Sequence, residues 1–162
     1  ARRALLVIAG AAGIALCVDF ALHVRRFNDG ARGFEDVMAT VPRGARVLPL
    51  MMTLGSPEVN VNAFNQWGSY VQMRTGGYVP YNNDIDFPIR RKGALPAPPW
   101  DHPDLFSYAA HGRAWDYFLI HGPYAGDPFR GARDKVRLVA ESGVWQLWQN
   151  LEPPPPLPSE AR

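Results

Sequence analysis

The pattern of hydrophobic positions is dominated by one apolar run near the start of the chain, residues 4–24, with the sequence ALLVIAGAAGIALCVDFALHV. As an α-helix with a rise of ~1.5 Å per residue, this run would be ~31 Å long, about the thickness of the hydrocarbon core of a bilayer. Asp19 interrupts the run, but it lies near the end, where its carboxylate can reach the lipid headgroups. The pattern therefore predicts a transmembrane helix within residues 1–27.

Other interpretations of this run stay open. Arg2 and Arg3 before an apolar core also fit a cleaved signal peptide, and residues 14–17 are similar to a lipoprotein cleavage box, although Leu16 is too large for the position before the cysteine. A helix that is apolar on all sides can also be buried in the core of a soluble protein. Because the chain starts with Ala1, either an initiator Met has been removed or these residues are a piece of a longer protein.

Small residues at Gly10 and Gly13 fall on one face of this helix, as is typical of helices that pack together in lipid. The alternative is that alanine and glycine are simply common in the run. Charge does not predict the orientation, because basic residues flank both ends, at Arg2, Arg3, Arg25, Arg26 and Arg32. The expected partners are membrane lipid and other transmembrane helices of the same or a partner protein.

The sequence that follows, residues 28–151, predicts one soluble domain large enough to bury a core. A polar turn at residues 27–33 is expected before a short amphipathic helix at residues 34–41, which the next proline ends. The apolar run at residues 44–52 predicts a buried strand, provided that Pro49 lies at a bulge or at the strand end.

A further helix is expected over residues 63–74, which carry an apolar face and are followed by Gly76 and Gly77 in the manner of a helix C-cap. Residues 78–81 then form a short extended segment. Strand, helix and extended segment in this order favour an α/β layer with a right-handed crossover.

The last part of the domain predicts strands. Residues 115–122 are a β-prone apolar segment that ends in glycine. Alternating positions on both sides of a turn at Ser142 and Gly143 predict a β-hairpin, in which Trp145 and Trp148 lie on opposite faces. The expected fold class is therefore α/β, with one N-terminal transmembrane helix followed by a small mixed-sheet domain that ends in a β-hairpin.

Two proline-rich stretches show no periodicity. Residues 82–112 also contain the basic cluster of residues 90–92, and so long a loop inside a compact domain is either functional, laid against a partner, or a surface excursion without a role. Residues 152–162 form a proline-rich tail that we expect to be semi-rigid and solvated.

Composition excludes several classes of function. The 17 basic and 15 acidic residues are spread through the chain, so no basic stripe of the kind that binds nucleic acid is present. The single cysteine, Cys17, lies in the apolar run, so the soluble part has no disulfide and no cysteine metal site. No strong catalytic motif occurs, and we expect no cofactor.

Few residues carry candidate chemistry. Asp84 and Asp86 could act as a carboxylate pair, but two aspartates in an Asn-rich loop are more typical of turns. His102, His111 and His121 share no short ligand spacing, so no metal site is expected. His121 ends a strand before a glycine, where open α/β sheets bind ligands; the alternative is a structural histidine with satisfied hydrogen bonds.

Residues 62–81 are dense in aromatic, amide and arginine side chains, which carbohydrate and lipid-headgroup sites use. A core helix with a polar outer face is the alternative. The predicted ligand-binding residues are Asn65, Trp67, Tyr70, Arg74 and Tyr81, with His121 at the strand end.

The order of the segments along the chain indicates a protein family. A membrane helix is followed by FEDVMATVPRGARVLPL, by an aromatic helix that ends in GGYVPY, by WDYFLIHG and by VRLVAESGVWQLWQN. This order resembles the C-terminal region of bacterial polytopic membrane glycosyltransferase-like proteins of the GT-C type, and the resemblance covers nearly the whole chain.

The resemblance implies that this chain is the last membrane helix and the soluble domain of a larger protein in the bacterial inner membrane, with the domain in the periplasm. Members of that group transfer sugars from polyprenyl-phosphate carriers, and their catalytic carboxylate lies in an early loop that is not in this sequence. No catalytic residue is carried over, and the domain would act in the recognition of a glycan acceptor or in assembly.

A hypothesis from a different class is a complete single-pass accessory subunit of a membrane complex. Such a subunit would bind its partner through residues 82–112 and the proline-rich tail. A self-contained soluble enzyme is a third alternative, which is disfavoured because no set of nucleophile, base and orienting group can be named.

Overall fold

A computed structural model describes residues 2–58, 62–64, 67–80, 95–99, 102–124, 126–152 and 154. The predictions made for Asn65, Tyr81, Asp84 and Asp86 lie outside the described residues. So do the predictions made for the basic cluster at residues 90–92 and for most of the proline-rich tail.

The first element is one continuous helix, α1 (Arg2–Met38). The predicted turn at residues 27–33 and the separate helix at residues 34–41 are therefore wrong. The glycines in this stretch cost only about 1 kcal/mol each in a helix, and the burial of one face against the domain offsets that cost. The buried residues of α1 are Gly33, Phe34, Val37 and Met38.

The apolar part of α1 lies outside the domain core. The most apolar window of the helix is 0% buried, so the interpretation of this run as the core helix of a soluble protein is wrong for this structure. By length and composition, α1 is able to cross a membrane.

The domain contains one four-stranded mixed sheet with the order β1-β2-β4-β3. Strand β1 (Val47–Met51) is parallel to β2 (Tyr117–His121), and β2 is antiparallel to β4 (Trp145–Asn150). Strand β3 (Val136–Ser142) pairs with β4 as the predicted hairpin, which is confirmed, with a bulge between Leu138 and Ala140. The mixed α/β layout expected from the sequence is thus present.

The position of Pro49 follows from the edge location of β1. The Val47 N–H donates outward to the Tyr78 carbonyl oxygen, whereas the Met52 N–H donates inward to the His121 carbonyl oxygen of β2. Because amide directions alternate along a strand, Pro49 points outward like Val47, so its missing N–H leaves the pairing with β2 intact.

The sequence favoured a layer in which β1, the helix and the extended segment at residues 78–81 follow one another. The Val47 N–H of β1 donates to the Tyr78 carbonyl oxygen, but residues 78–80, the described part of that segment, do not form a strand of the sheet. The parallel partner of β1 is instead β2, which lies much later in the sequence. The connection between them contains the helices α2 (Trp67–Thr75) and α3 (Tyr108–His111).

Helix α2 ends as predicted. Gly76 has a φ of 66°, and its N–H donates to the Gln72 carbonyl oxygen at 2.8 Å. This left-handed residue after the last helical turn is the glycine cap that the sequence indicated. The start of α2 at Trp67 is later than the predicted residue 63.

Apolar side chains cover both faces of the sheet, which explains why β1 is a continuous apolar run and does not alternate. The face that carries α1 and α2 buries Phe34, Val37, Met38, Phe64, Val71, Leu119, Trp145 and Leu147, among others. The opposite face buries Leu48, Leu50, Phe106, Tyr108, Trp115, Phe118, Ile120 and Phe129, among others. Trp145 belongs to the first cluster and Trp148 packs against the second, so the predicted opposition of these two residues is confirmed.

Helix α1 docks on the sheet through its last turns. Trp145 Nε1 donates to the Gly30 carbonyl oxygen at 3.1 Å, and Ser142 Oγ donates to the Asp36 carboxylate at 2.7 Å. A Cβ atom at Gly33 would clash with the Ser142 carbonyl oxygen, so helix and sheet meet without intervening side chains. The membrane-type helix therefore continues directly into the domain.

At the carboxyl end of β1, Met51 is in register with His121 of β2, and His121 is in register with Trp145, which donates a hydrogen bond to Gly30 of α1. The carboxyl end of β1 consequently lies near the base of the apolar run, where Phe27 stacks on Phe64 with ring centroids 5.7 Å apart. Strand β2 is parallel to β1 and ends at the same edge.

Candidate functional site

A pocket lies at the edge where β1 and β2 end, between that edge and α1. Its volume is about 230 Å³. We call it the helix-base pocket, and it is lined by Arg26, Phe27, Gly30, Thr53, Gly55, Ser56, Pro57, Glu58, Phe64, His121, Gly122, Pro123 and Val144. The carboxyl ends of parallel strands are where open α/β sheets place ligands, so this is the candidate site of the domain.

His121 is the last residue of β2 and is only 2% exposed. Its ring lies between Phe64 and Trp145, with centroid distances of 4.1 and 4.2 Å. Its Nδ1 lies 2.8 Å from the Thr53 carbonyl oxygen, and since a carbonyl only accepts, Nδ1 carries the hydrogen. The neutral tautomer therefore has its lone pair on Nε2.

Burial lowers the pKa of His121 below its ordinary value of 6.5, although the hydrogen bond to Thr53 acts in the opposite direction. The buried ring is consequently neutral at pH 7. The His121 ring packs against the core residues Phe64 and Trp145 and also lines the helix-base pocket, so a ligand-binding role for it stays a prediction.

The lowered pKa of His121 predicts a pH-dependent stability. Above pH 6.5 the ring is neutral in both the folded and the unfolded chain, so it contributes no pH dependence there. As the pH falls below 6.5, the unfolded chain takes up a proton that the folded chain does not, so the free energy of unfolding decreases until the folded-state pKa is reached.

Urea titrations of the wild type and of His121→Gln between pH 7.5 and pH 5 test this expectation. The wild type should lose more stability over this range than His121→Gln, which keeps an amide donor for Thr53 but does not titrate. Equal losses would contradict the assignment, because His23, His102 and His111 are present in both proteins.

Glu58 faces the same pocket from the loop that follows β1, and its side chain is 19% exposed. One carboxylate oxygen lies 3.9 Å from Arg26 Nη1 and 3.9 Å from His23 Nε2, both on α1. The His23 ring also contacts the carbonyl oxygen of Asp19, one turn earlier, at 3.0 Å. A chain of polar groups therefore links the end of the apolar run to the pocket.

The predicted ligand-binding residues do not all converge. Trp67, Tyr70 and Arg74 lie on α2, and Arg74 forms an ion pair with Glu35 of α1. The rings of Trp67 and Tyr70 are 5.7 Å apart. His121 lines the helix-base pocket, which these α2 residues do not line.

Trp67 has a structural role in addition to any contact with a ligand. Its ring is partly buried and packs edge-on against Phe34, with centroids 4.8 Å apart, and against Trp145 at 5.2 Å. Replacing Trp67 is thus expected to perturb the core. The assignment of these α2 residues to a ligand stays a prediction.

Sequence reasoning missed Arg26, Phe27, Thr53 and Glu58. The rule that identified His121, a position just after a parallel strand, also applies to the loop after β1 and could have identified Thr53 and Glu58. Arg26 and Phe27 could not be found this way, because residues 1–27 were expected to form a transmembrane helix and residues 27–33 a turn, neither of them packed on the sheet.

In the described part of the chain, no group of three or more His, Cys, Asp or Glu side chains is placed so that it could hold a metal ion. His111 Nδ1 accepts from the Ser107 N–H at 3.1 Å, and His102 lies 3.8 Å from Asp104. The histidines are therefore occupied by separate local contacts.

Comparison of the chain with protein-family models, with curated proteins and with solved structures gives no match. The resemblance to GT-C-type proteins therefore stays a prediction from the order of segments.

Proposed function

We propose that residues 4–24 of α1 span a bilayer and that this chain acts as a membrane-anchored domain within a larger membrane assembly. The observation that carries the proposal is the exposure of the apolar run, whose most apolar window is 0% buried. Side chains such as Leu5, Ile8, Ile14, Leu16 and Phe20 are each more than half exposed. Apolar surface costs roughly 25 cal/mol per Å² in water, and a bilayer removes that cost.

The small residues of α1 support contact with other helices. A Cβ atom at Gly10 or at Gly13 would meet nothing within 4 Å, so this face is open to a neighbour. Backbones approach closely at such positions, and packing then stabilises helix association in lipid. Cys17 lies two turns after Gly10 on the same face.

The direct continuation of α1 into the domain supports a positioning role. Trp145, Ser142 and Gly33 join the end of α1 to the sheet, without a flexible linker among these residues. A domain held in this way keeps one orientation relative to the membrane. That property suits a module that presents a surface to a neighbouring membrane protein.

The finer proposal is that the assembly is a GT-C-like glycosyltransferase of the bacterial inner membrane, with the domain in the periplasm. The domain itself would not be catalytic and would recognise the glycan acceptor of a polyprenyl-linked sugar. The half-exposed Tyr70 and the exposed Arg74 on α2 provide aromatic and cationic groups for such an acceptor.

The second candidate is a single-pass accessory subunit that binds within a membrane complex, which the open glycine face of α1 favours equally. The mass of the native polypeptide distinguishes the two candidates. A band much heavier than the calculated 18.0 kDa supports the GT-C-like protein, whereas a band near 18.0 kDa supports the accessory subunit.

Paired helix substitutions test the anchoring proposal. Gly10→Ile with Gly13→Ile should leave the chain resistant to alkaline carbonate extraction but abolish chemical crosslinking from Cys17 to neighbouring proteins, because the bulky side chains prevent close packing. The matched control, Ala12→Ile with Ala15→Ile, changes the opposite face by the same kind of residue and should retain both properties.

Extraction of the wild-type chain by carbonate would overturn the bilayer-spanning role. Equal crosslinking in the two double variants would overturn the proposed helix contact while leaving the anchor in place.

A further inference from the structure

Two residues that line the helix-base pocket, His121 and Glu58, carry hydrogen-bond acceptors that a ligand can reach. His121 is 2% exposed and uses Nδ1 for the Thr53 carbonyl oxygen, which leaves the lone pair of Nε2 without a hydrogen bond from any described residue. Among the described residues no buried side-chain nitrogen or oxygen lacks a hydrogen-bond partner, so Nε2 is open to solvent and can accept a hydrogen bond from a bound group.

The second acceptor is the carboxylate of Glu58. Its contacts with His23 and Arg26 are both 3.9 Å long, beyond hydrogen-bond distance, and within the described residues no other side chain donates to it. A neutral and an anionic acceptor therefore line one small cavity. The complementary ligand carries several hydrogen-bond donors.

The charges around the pocket narrow the class of ligand. Glu58 and Arg26 carry opposite charges, so an anion inside the pocket would be repelled by Glu58 and an ammonium group by Arg26, whereas a phosphate can pair with Arg26 on its exposed side, outside the pocket. Hydroxyl groups are uncharged, so they can donate hydrogen bonds to both acceptors without repulsion from Glu58 or from Arg26. The stacked rings of Phe27 and Phe64 add an apolar wall against which the C–H groups of a polyol can pack.

The place of the pocket favours a lipid as the source of these hydroxyl groups. It opens at the base of the apolar run, within one helical turn of residue 24. Arg26 is largely exposed there and, with the exposed Arg25, can pair with a lipid phosphate. A volume of about 230 Å³ suits a headgroup better than a whole drug-sized molecule.

We infer that the helix-base pocket binds the polyol headgroup of a membrane lipid, with hydroxyl groups donating to His121 Nε2 and to the Glu58 carboxylate and with the phosphate held by Arg26. This inference rests on the proposed bilayer anchor. It assigns a ligand class to the pocket that neither the acceptor-binding nor the accessory-subunit proposal requires.

Native mass spectrometry of the full chain in a detergent without sugar groups tests the inference. The chain is titrated with phosphatidylglycerol, which has two headgroup hydroxyls, and with phosphatidic acid, which has the phosphate alone. We expect phosphatidylglycerol to bind more tightly, and Glu58→Gln to weaken it about tenfold through loss of a charge-assisted hydrogen bond.

Two control variants and a measurement of folding test whether the effect is specific to Glu58. Glu141→Gln makes the same chemical change on β3, outside the pocket, and should leave both affinities unchanged. Arg26→Gln should weaken both lipids by a similar factor, because both carry the phosphate. Thermal unfolding of each variant, followed by circular dichroism, confirms that Glu58→Gln is folded.

The polyol site would be overturned if the two lipids bound equally tightly and if Glu58→Gln changed neither affinity. The chain is also titrated with free glycerol or methyl glucoside. If these bound with the same dependence on Glu58 while phosphatidylglycerol did not bind, the claim that the ligand is a lipid would be overturned. Because the titration is done in detergent, its failure is independent of the carbonate extraction that tests the anchor.

Discussion

Trp145→Ala is expected to destabilise the domain by about 3–5 kcal/mol, the usual cost of removing a fully buried large aromatic side chain. The ring is 0% exposed, and it contacts Phe34, Phe64, Trp67 and His121 at centroid distances between 4.2 and 5.9 Å. Its loss would leave a cavity where α1, α2 and the sheet meet, and it would also remove the hydrogen bond to Gly30.

Urea titration of the detergent-solubilised chain, followed by circular dichroism, measures this effect. Trp145→Phe should retain part of the packing and lose the hydrogen bond, so its cost should be smaller. Trp148→Ala is the matched control on the opposite face, where the ring is only partly buried, and it should cost clearly less than Trp145→Ala. Equal costs for the two alanine variants would contradict the central position of Trp145.

Gly33→Ala is expected to destabilise the domain by about 2 kcal/mol, because overpacking at a close contact typically costs 1–3 kcal/mol. The added methyl group would clash with the Ser142 carbonyl oxygen and lie 2.9 Å from Trp145 Cδ1. Backbone cannot move aside as a flexible side chain can, so the end of α1 would have to shift away from the sheet.

Gly30→Ala provides the matched control for this prediction. It is the same substitution three residues earlier on α1, where a Cβ atom meets nothing within 4 Å. Since alanine is the better helix former by roughly 1 kcal/mol, Gly30→Ala should be neutral or stabilising. The thermal midpoint should therefore fall for Gly33→Ala and stay the same or rise for Gly30→Ala, and an equal fall in both would argue against the close docking of α1.

The docking of α1 connects the stability predictions to the proposed functions. The residues that hold the helix on the sheet, Gly30, Gly33 and Trp145, also lie beside or behind the helix-base pocket. A variant that loosens this contact would therefore change the pocket and the orientation of the domain together. Gly33→Ala should for that reason also weaken binding of phosphatidylglycerol, although the residue does not line the pocket.

The local chemistry of several elements was sufficient to predict them from the sequence. The apolar run at residues 4–24, the glycine cap at Gly76 and the hairpin around Gly143 each depend on near neighbours in the chain. Hydrophobic length, left-handed backbone at glycine and period-two alternation act over short distances, and they need no knowledge of the remaining fold. The location of Trp145 and Trp148 on opposite faces of the sheet follows from the same alternation.

Only the tertiary structure decided the elements that depend on distant partners. The sequence favoured a turn at residues 27–33 because its glycines and polar residues weaken a helix, but packing on the sheet outweighs that preference. Strand β1 pairs with β2 across a long connection, which no local pattern specifies. The pocket forms where α1, the loop after β1 and the end of β2 meet, so Glu58 and the free nitrogen of His121 acquire a shared role only through long-range packing.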